Sequence, residues 1–310
     1  MTRRGINRAA WAAVWSASVL LSGCSRAEVQ SENPADDGTL KIVTTVFPYY
    51  DFTRQIAGSL LDSGEAELTL MVPAGMDSHS FEPTPADLIE LQSADIIICN
   101  GGAMEHWFQQ VSDSLDLDEQ RVITMMDYVD TVEEEIVEGM EAETHDHAED
   151  HIHEAGENEE EGGHYDDFWT SPVNAMKLSA VIADTLCMSD PDHEKIYREN
   201  LSAYERQLSE LDQIFREIVD QADGRLVVFG DKFPLRYFFD EYGLEYRAAF
   251  TGCSTDTEPS AKTIAYLIDK VREFQIPADY YLELSSQRVA EIIEEETGAL
   301  TLLYNSCHKV

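Results

Sequence analysis

The feature that most restricts the fold is a series of short apolar segments, rich in β-branched residues, separated by stretches of helical periodicity. "LKIVTTVF", "AELTLMVP", "ADIIICNG" and "RVITMMD" fall in the first half of the chain, and "RLVVFGD", "LEYRAAF", "ADYYLEL" and "ALTLLYN" in the second. A strand buried on both faces reads as a nearly continuous apolar run, whereas a half-exposed one alternates. Such runs between amphipathic helices predict parallel sheets covered on both sides. Four runs in each half predict two α/β lobes of similar build.

Between the halves lies "DPDHEKIYRENLSAYERQLSELDQIFREIVDQADG" (190–224). Ile196, Leu201, Tyr204, Leu208, Leu211, Ile214, Phe215 and Ile218 recur there at three- and four-residue spacing, an apolar stripe on one helix. Asp190 and Pro191 suit its start and Gly224 its exit. At about 30 residues it would be roughly 45 Å long, a connector that spans both lobes and resists bending. His193, near its start, is expected to be solvated.

The opening "MTRRGINRAAWAAVWSASVLLSGCS" sets arginines ahead of a short apolar run, a secretory signal too short for a good membrane span. Small residues before Cys24 predict a lipoprotein cleavage site, so 1–24 is a signal peptide ending at a lipidated cysteine. Acyl chains there would hold the protein at the outer face of a bacterial cell membrane, each buried CH₂ contributing roughly 0.8 kcal/mol. Residues 25–39 form a flexible acidic tether, 40–189 the first lobe and 225–310 the second. The net charge of −40 argues against nucleic acid, which needs clustered Lys and Arg, and favours cations. A metal-dependent hydrolase would need an open metal position and a base, as in HExxH, and the chain has no such motif. A monomeric binding protein is expected, not an enzyme.

Four cysteines follow Cys24. Cys99, in an apolar strand, and Cys187, at a helix end, are expected to be buried thiols. Cys253 and Cys307 sit in loop-like settings, and their spacing leaves open both a disulfide closing a long loop and two free thiols.

"VPAGMDSHSFEPTPADLIEL" (72–91) follows a strand and precedes a helix, so it emerges at the carboxyl edge of a parallel sheet, where ligands bind. His79 is held there between turn-forming residues and the rigid "EPTP". Together with "KIVTTVFPYYDFTRQIAG", "NGGAMEHWF", "FWTSPVNAMKLSAVIADTL" and "EETGA", this segment resembles the substrate-binding lipoproteins of zinc and manganese ABC importers. In that family a G-x-D-x-H-x-[FY]-E-P-[ST] loop supplies the first metal-ligating His. The resemblance runs through nearly the whole mature chain. It implies an α/β fold of two (β/α)₄-like lobes with parallel sheets, joined by a single long rigid α-helix, with the metal in the cleft between them.

Position by position, His79 matches the family's first ligand and Glu283 its acidic fourth. Asp167, in "DDFWTSP", stands where the second His would be, and a carboxylate can replace imidazole on Zn²⁺. Gly230, beside Asp231, stands at the third position and offers no side chain. His308, in "YNSCHKV", is expected to fill that gap, and the resemblance favours a Cys253–Cys307 disulfide pinning it to the second lobe. His106, in "AMEHWFQQ", is expected at the surface or just behind the ligands. Members usually continue into a further strand turn and a helix, so the second lobe is expected to be short of them.

Residues 138–167 contain hardly any large apolar side chains and are expected to be mobile. His145, His147, His151, His153 and His164 lie there among carboxylates, a set suited to weak auxiliary capture of Zn²⁺. Zinc-binding members of the family carry such an insertion, and manganese binders generally lack it. The resemblance therefore implies capture of Zn²⁺ and its delivery to an ABC import permease. Mn²⁺ is the alternative, favoured by the oxygen-rich ligand set; a surface adhesin or metal-sequestering lipoprotein is a more distant one.

Overall fold

Each of the eight apolar runs contains a strand. The computed structural model describes residues 38–133, 136–140, 165–251, 259–283 and 285–307. The first lobe runs β1 (Leu40–Thr44), α1 (Phe47–Ala57), α2 (Ser59–Ser63), β2 (Ala66–Leu70), α3 (Pro85–Ser93), β3 (Ile96–Cys99), α4 (His106–Ser112), β4 (Arg121–Thr124) and α5 (Pro172–Ser189). Helix α6 (Glu194–Gln221) leads to the second: β5 (Leu226–Phe233), α7 (Arg236–Tyr242), β6 (Glu245–Thr251), α8 (Ala261–Phe274), β7 (Ala278–Leu282), α9 (Arg288–Thr297) and β8 (Leu300–Tyr304). The sheets are ordered β2-β1-β3-β4 and β6-β5-β7-β8, with parallel pairing throughout. In both, the order reverses beside the first strand of the lobe, between β1 and β3 and between β5 and β7. Such switch points open a crevice at the carboxyl ends of the strands.

Alternate residues of each strand serve different cores, because successive side chains point to opposite faces. Ile42 and Ile98 join a cluster that continues through Leu178 and Ile182 of α5 and Tyr197 of α6 to Phe229 and Phe233 of the second lobe. Their neighbours Val43 and Ile97 turn to a smaller cluster with Leu91 of α3, and Val228 packs with Leu267 and Ile293 on the far side of the second sheet. One apolar core therefore crosses between the lobes. Each fully buried Ile, Leu or Phe in it contributes about 1.5–3 kcal/mol.

α6 is bolted at both ends. Asn200 Nδ2 donates to the Ile56 carbonyl of α1 at 2.9 Å, and Tyr242 of α7 donates to Asp212 Oδ1 at 3.0 Å. Arg216 binds both Asp212 and Glu241. The expected stripe holds at Leu201 and Leu208, and Tyr197 and Val219 are buried as well. Leu211, Ile214 and Ile218, however, are 40%, 52% and 59% exposed. α6 packs against α1 and α5, with Asn200 bonded to α1, and further along Phe215 meets Phe238 and Tyr242 of α7. His193 is partly exposed, and its Nδ1 sits 2.7 Å from Asp190 Oδ2, a hydrogen bond that raises its pKa above the usual 6.5. The carboxylate that opens the helix holds the imidazole. Cys99 and Cys187 are buried thiols, as their settings predict.

Candidate metal site

On the first lobe, the loop after β2 carries His79 in a short 3₁₀ turn, Ser78–Ser80. Asp77 caps that turn by accepting from the His79 backbone N–H at 3.0 Å, which leaves the imidazole exposed. Phe81 packs edge-on against Trp107 with ring centres 4.8 Å apart. A capping box between Thr84 and Asp87, with Pro85 at the first helical position, then ends the loop. These are local devices, and they fix the backbone around His79 without metal.

Asp167 precedes a second 3₁₀ turn, Phe168–Thr170, and its carbonyl accepts from the Thr170 amide and hydroxyl at 3.1 and 2.7 Å. Ser171 closes the turn by capping α5. The residues before it reach into both lobes. Asp166 accepts from the Met104 amide at 2.7 Å through Oδ2, and its carbonyl accepts from Asn100 Nδ2 at 3.2 Å, at the β3 end of the first switch point. Tyr237 of α7 donates to the Tyr165 carbonyl at 2.8 Å, and the Tyr165 and Tyr246 hydroxyls lie 3.2 Å apart. The second lobe therefore helps to place Asp167. Nearby, Glu105 is buried, accepts from the Gly101 amide at 2.9 Å, and has its pKa pushed up to about 7 by desolvation.

On the second lobe, β5 is bulged at Gly230–Asp231, beside the second switch point. Asp231 is buried: Oδ1 accepts from the Lys232 amide at 2.8 Å and Oδ2 from the Leu282 amide at 3.0 Å, tying β5 to β7. Glu283 follows β7 directly. Its carboxylate accepts from the Ser306 amide at 3.2–3.3 Å and the Ser306 hydroxyl at 2.9 Å. Trp169 Nε1 of the first lobe donates to the Ser306 carbonyl at 3.1 Å. The chain leaving β8 thus lies between the lobes, held by one residue from each.

Gly230 could not have been a ligand position in this packing. A Cβ there would lie 2.9 Å from Ala290 N and 3.0 Å from Ala290 Cα, at the start of α9. Gly230→Ala is expected to destabilise the fold by about 1–3 kcal/mol through overpacking against backbone that cannot turn aside. Urea unfolding of the variant against wild type checks this; equal midpoints would mean that α9 can retreat.

The Tyr304 hydroxyl at the end of β8 is buried, and its pKa is raised well above the usual value by burial first and then by the charges of Asp167, Asp231 and Glu283. Residue reasoning missed that tyrosine, and missed Trp169 and Ser306. Among the described residues, no three His, Cys, Asp or Glu side chains stand together as a metal cage. His79 is exposed, as is His106 at the start of α4. His308, Cys253, Cys24 and the loop histidines 145, 147, 151, 153 and 164 lie outside the described residues. Cys307 is an exposed free thiol, so the expected bridge to Cys253 gains no support here.

The description "zinc-uptake complex component A, periplasmic" (ZnuA) matches residues 42–310. The zinc-binding lipoprotein AdcA of Streptococcus pneumoniae is 33% identical over 273 residues, covering 87% of this chain and 50% of that protein. The chain thus spans about half the length of that relative. The high-affinity zinc uptake system protein ZnuA of Bacillus subtilis is 29% identical over 288 residues, covering 93% of this chain and 85% of that one. Among solved structures, the Zn(II)-bound ZnuA-like domain of S. pneumoniae AdcA aligns with a TM-score of 0.67 at 29% identity, over 88% of this chain and 90% of that one. The metal-dependent lipoprotein YcdH of B. subtilis aligns with a TM-score of 0.69 at 26% identity, over 87% and 89%. With two parallel four-stranded sheets, a long helix joining them and a match running from β1 to its last residue, the chain belongs to the ZnuA family.

Proposed function

We propose that this protein captures Zn²⁺ in the cleft between its lobes and presents it to an ABC import permease, held at the outer face of the membrane by lipid on Cys24. The observation that carries the reading is the meeting of both lobes at Ser306: Glu283 of the second lobe accepts from its amide and hydroxyl, and Trp169, two residues past Asp167 on the first lobe, donates to its carbonyl. His79, from the loop after β2, and His308 complete the proposed ligand set. Two imidazoles and two carboxylates suit four-coordinate Zn²⁺. The zinc named in the AdcA and ZnuA relatives supports this metal over Mn²⁺. The role is binding and release, with no covalent step. The bolted α6 and the shared core suit a protein whose lobes move little when a small ion enters.

Metal analysis and calorimetry on the mature chain, with Zn²⁺ and Mn²⁺ in competition, test the reading. One tight equivalent of Zn²⁺ is expected, displaced poorly by Mn²⁺; absence of stoichiometric zinc would overturn it. Deleting 143–163 should leave that equivalent and remove weaker binding that strengthens as histidines deprotonate near pH 6.5. The loop binds weakly because ordering it costs roughly 1–2 kcal/mol per residue. If the deletion removes the tightest site, the histidine segment is the binding centre instead.

A further inference from the structure

One buried residue holds a group from each lobe. Ser306, two residues past β8, is 4% exposed, and its hydroxyl, amide and carbonyl are all engaged. The hydroxyl donates to Glu283 Oε1 at 2.9 Å, and the amide is shared between Oε1 at 3.3 Å and Oε2 at 3.2 Å. The carbonyl accepts from Trp169 Nε1 at 3.1 Å. The backbone beside Glu283 is fixed by the strand ladder: Leu282 pairs with Tyr304, and the Glu283 amide donates to the Tyr304 carbonyl at 3.2 Å. Trp169 is fixed by packing, its buried indole edge-on to Tyr49 of α1 with ring centres 6.2 Å apart. Glu283 itself remains partly exposed at the carboxyl edge of the second sheet. An ionised carboxylate has about four acceptor positions, two on each oxygen. Ser306 takes both on Oε1 and one on Oε2, so the position left for another partner is on Oε2.

We propose that Ser306 is a positioning residue that sets the metal preference of the site: it turns Glu283 so that the carboxylate presents one oxygen, Oε2, to a divalent cation. The inference rests on the cleft being the zinc site. A carboxylate left free can offer a metal both oxygens and fill two coordination positions. That suits ions such as Mn²⁺ that gather many oxygens, whereas four-coordinate Zn²⁺ is matched by a single one. Two donors on Oε1 remove the second oxygen from the choice. They also hold the side chain in one orientation before the metal arrives, as hydrogen bonds behind a ligating carboxylate do. Because the same residue is bonded to Trp169, in the turn that follows Asp167, the direction of Oε2 is set against the first lobe as well as the second.

The test is Ser306→Ala, which removes the hydroxyl from Oε1 and leaves the amide and the bond to Trp169 in place. Zn²⁺ and Mn²⁺ affinities of the mature chain are measured separately and in competition, alongside thermal unfolding of chelator-treated protein. Zinc binding is expected to weaken about tenfold, the lower end of what a residue behind a ligand contributes. Manganese binding should hold or tighten, so the preference for zinc falls by at least that factor. Ser306→Thr keeps the hydroxyl and should keep the preference. A residue that served only to stabilise the lobes would weaken both metals alike and leave their ratio where it was. If wild type binds zinc and Ser306→Ala leaves that ratio unchanged, this inference is wrong and the cleft reading stands. If wild type binds no zinc, both fall.

Discussion

Replacing His79 by alanine is expected to weaken zinc binding by more than about 100-fold while leaving the metal-free fold intact. Loss of a partner that merely orients a ligand typically costs 10–100-fold, and removing the ligand costs more. The fold should persist because the turn does not depend on the imidazole. The side chain is exposed, the His79 amide is held by Asp77, and Phe81, Trp107 and the Thr84–Asp87 capping box keep the flanking backbone in place. Calorimetry gives the affinity and chelator-treated thermal unfolding gives the stability. An unchanged dissociation constant would remove His79 from the ligand set, and a parallel loss of stability would make the result uninformative about the metal, which is why both are measured.

The second large effect is on stability against pH, and it comes from Asp279. This carboxyl is fully buried in β7; Oδ1 accepts from the Thr301 hydroxyl at 3.4 Å and Oδ2 has no partner. Desolvation pushes its pKa from 3.8 up to about 7. Between those values the native state holds a proton that the unfolded state releases, so stability is greatest below the lower value and falls as pH rises. The slope is about 1.4 kcal/mol per pH unit, ending near pH 7. Glu105, raised in the same direction by burial, adds to the same window. Asp279→Asn should remove one proton's share of that slope and leave the variant about 2 kcal/mol more stable than wild type at pH 8, after the cost of seating the amide. Urea unfolding of chelator-treated protein from pH 4.5 to 8 checks this. An equal slope in the two proteins would mean that Asp279 is ionised in the fold.

The eight strands and the connecting helix were legible because their signals are local. A parallel strand covered on both faces announces itself as an apolar run, and a helix as a three-and-four repeat. The His79 loop was legible for the same reason, since turn residues and a capping box act within a few positions of one another. The exposed end of the α6 stripe was not. Periodicity tells which residues share a face, and whether anything covers that face is a property of the other helices.

The amino-acid sequence by itself determined the two α/β lobes, the long helix and the candidacy of His79, Asp167 and Glu283, all through short-range pattern or family likeness. Tertiary structure decided the rest of the site. It closed Gly230 to any side chain by setting Ala290 backbone against it. It tied Asp231 to Leu282, 51 residues away, and Trp169 to Ser306, 137 residues away. It also left the Tyr304 hydroxyl buried without a hydrogen-bond partner. Nothing in "LTLLY" distinguishes that tyrosine from a residue at any strand end. Its burial follows from parallel register with β7 and from the packing around that strand end, and such contacts between distant segments exist only once the chain has folded.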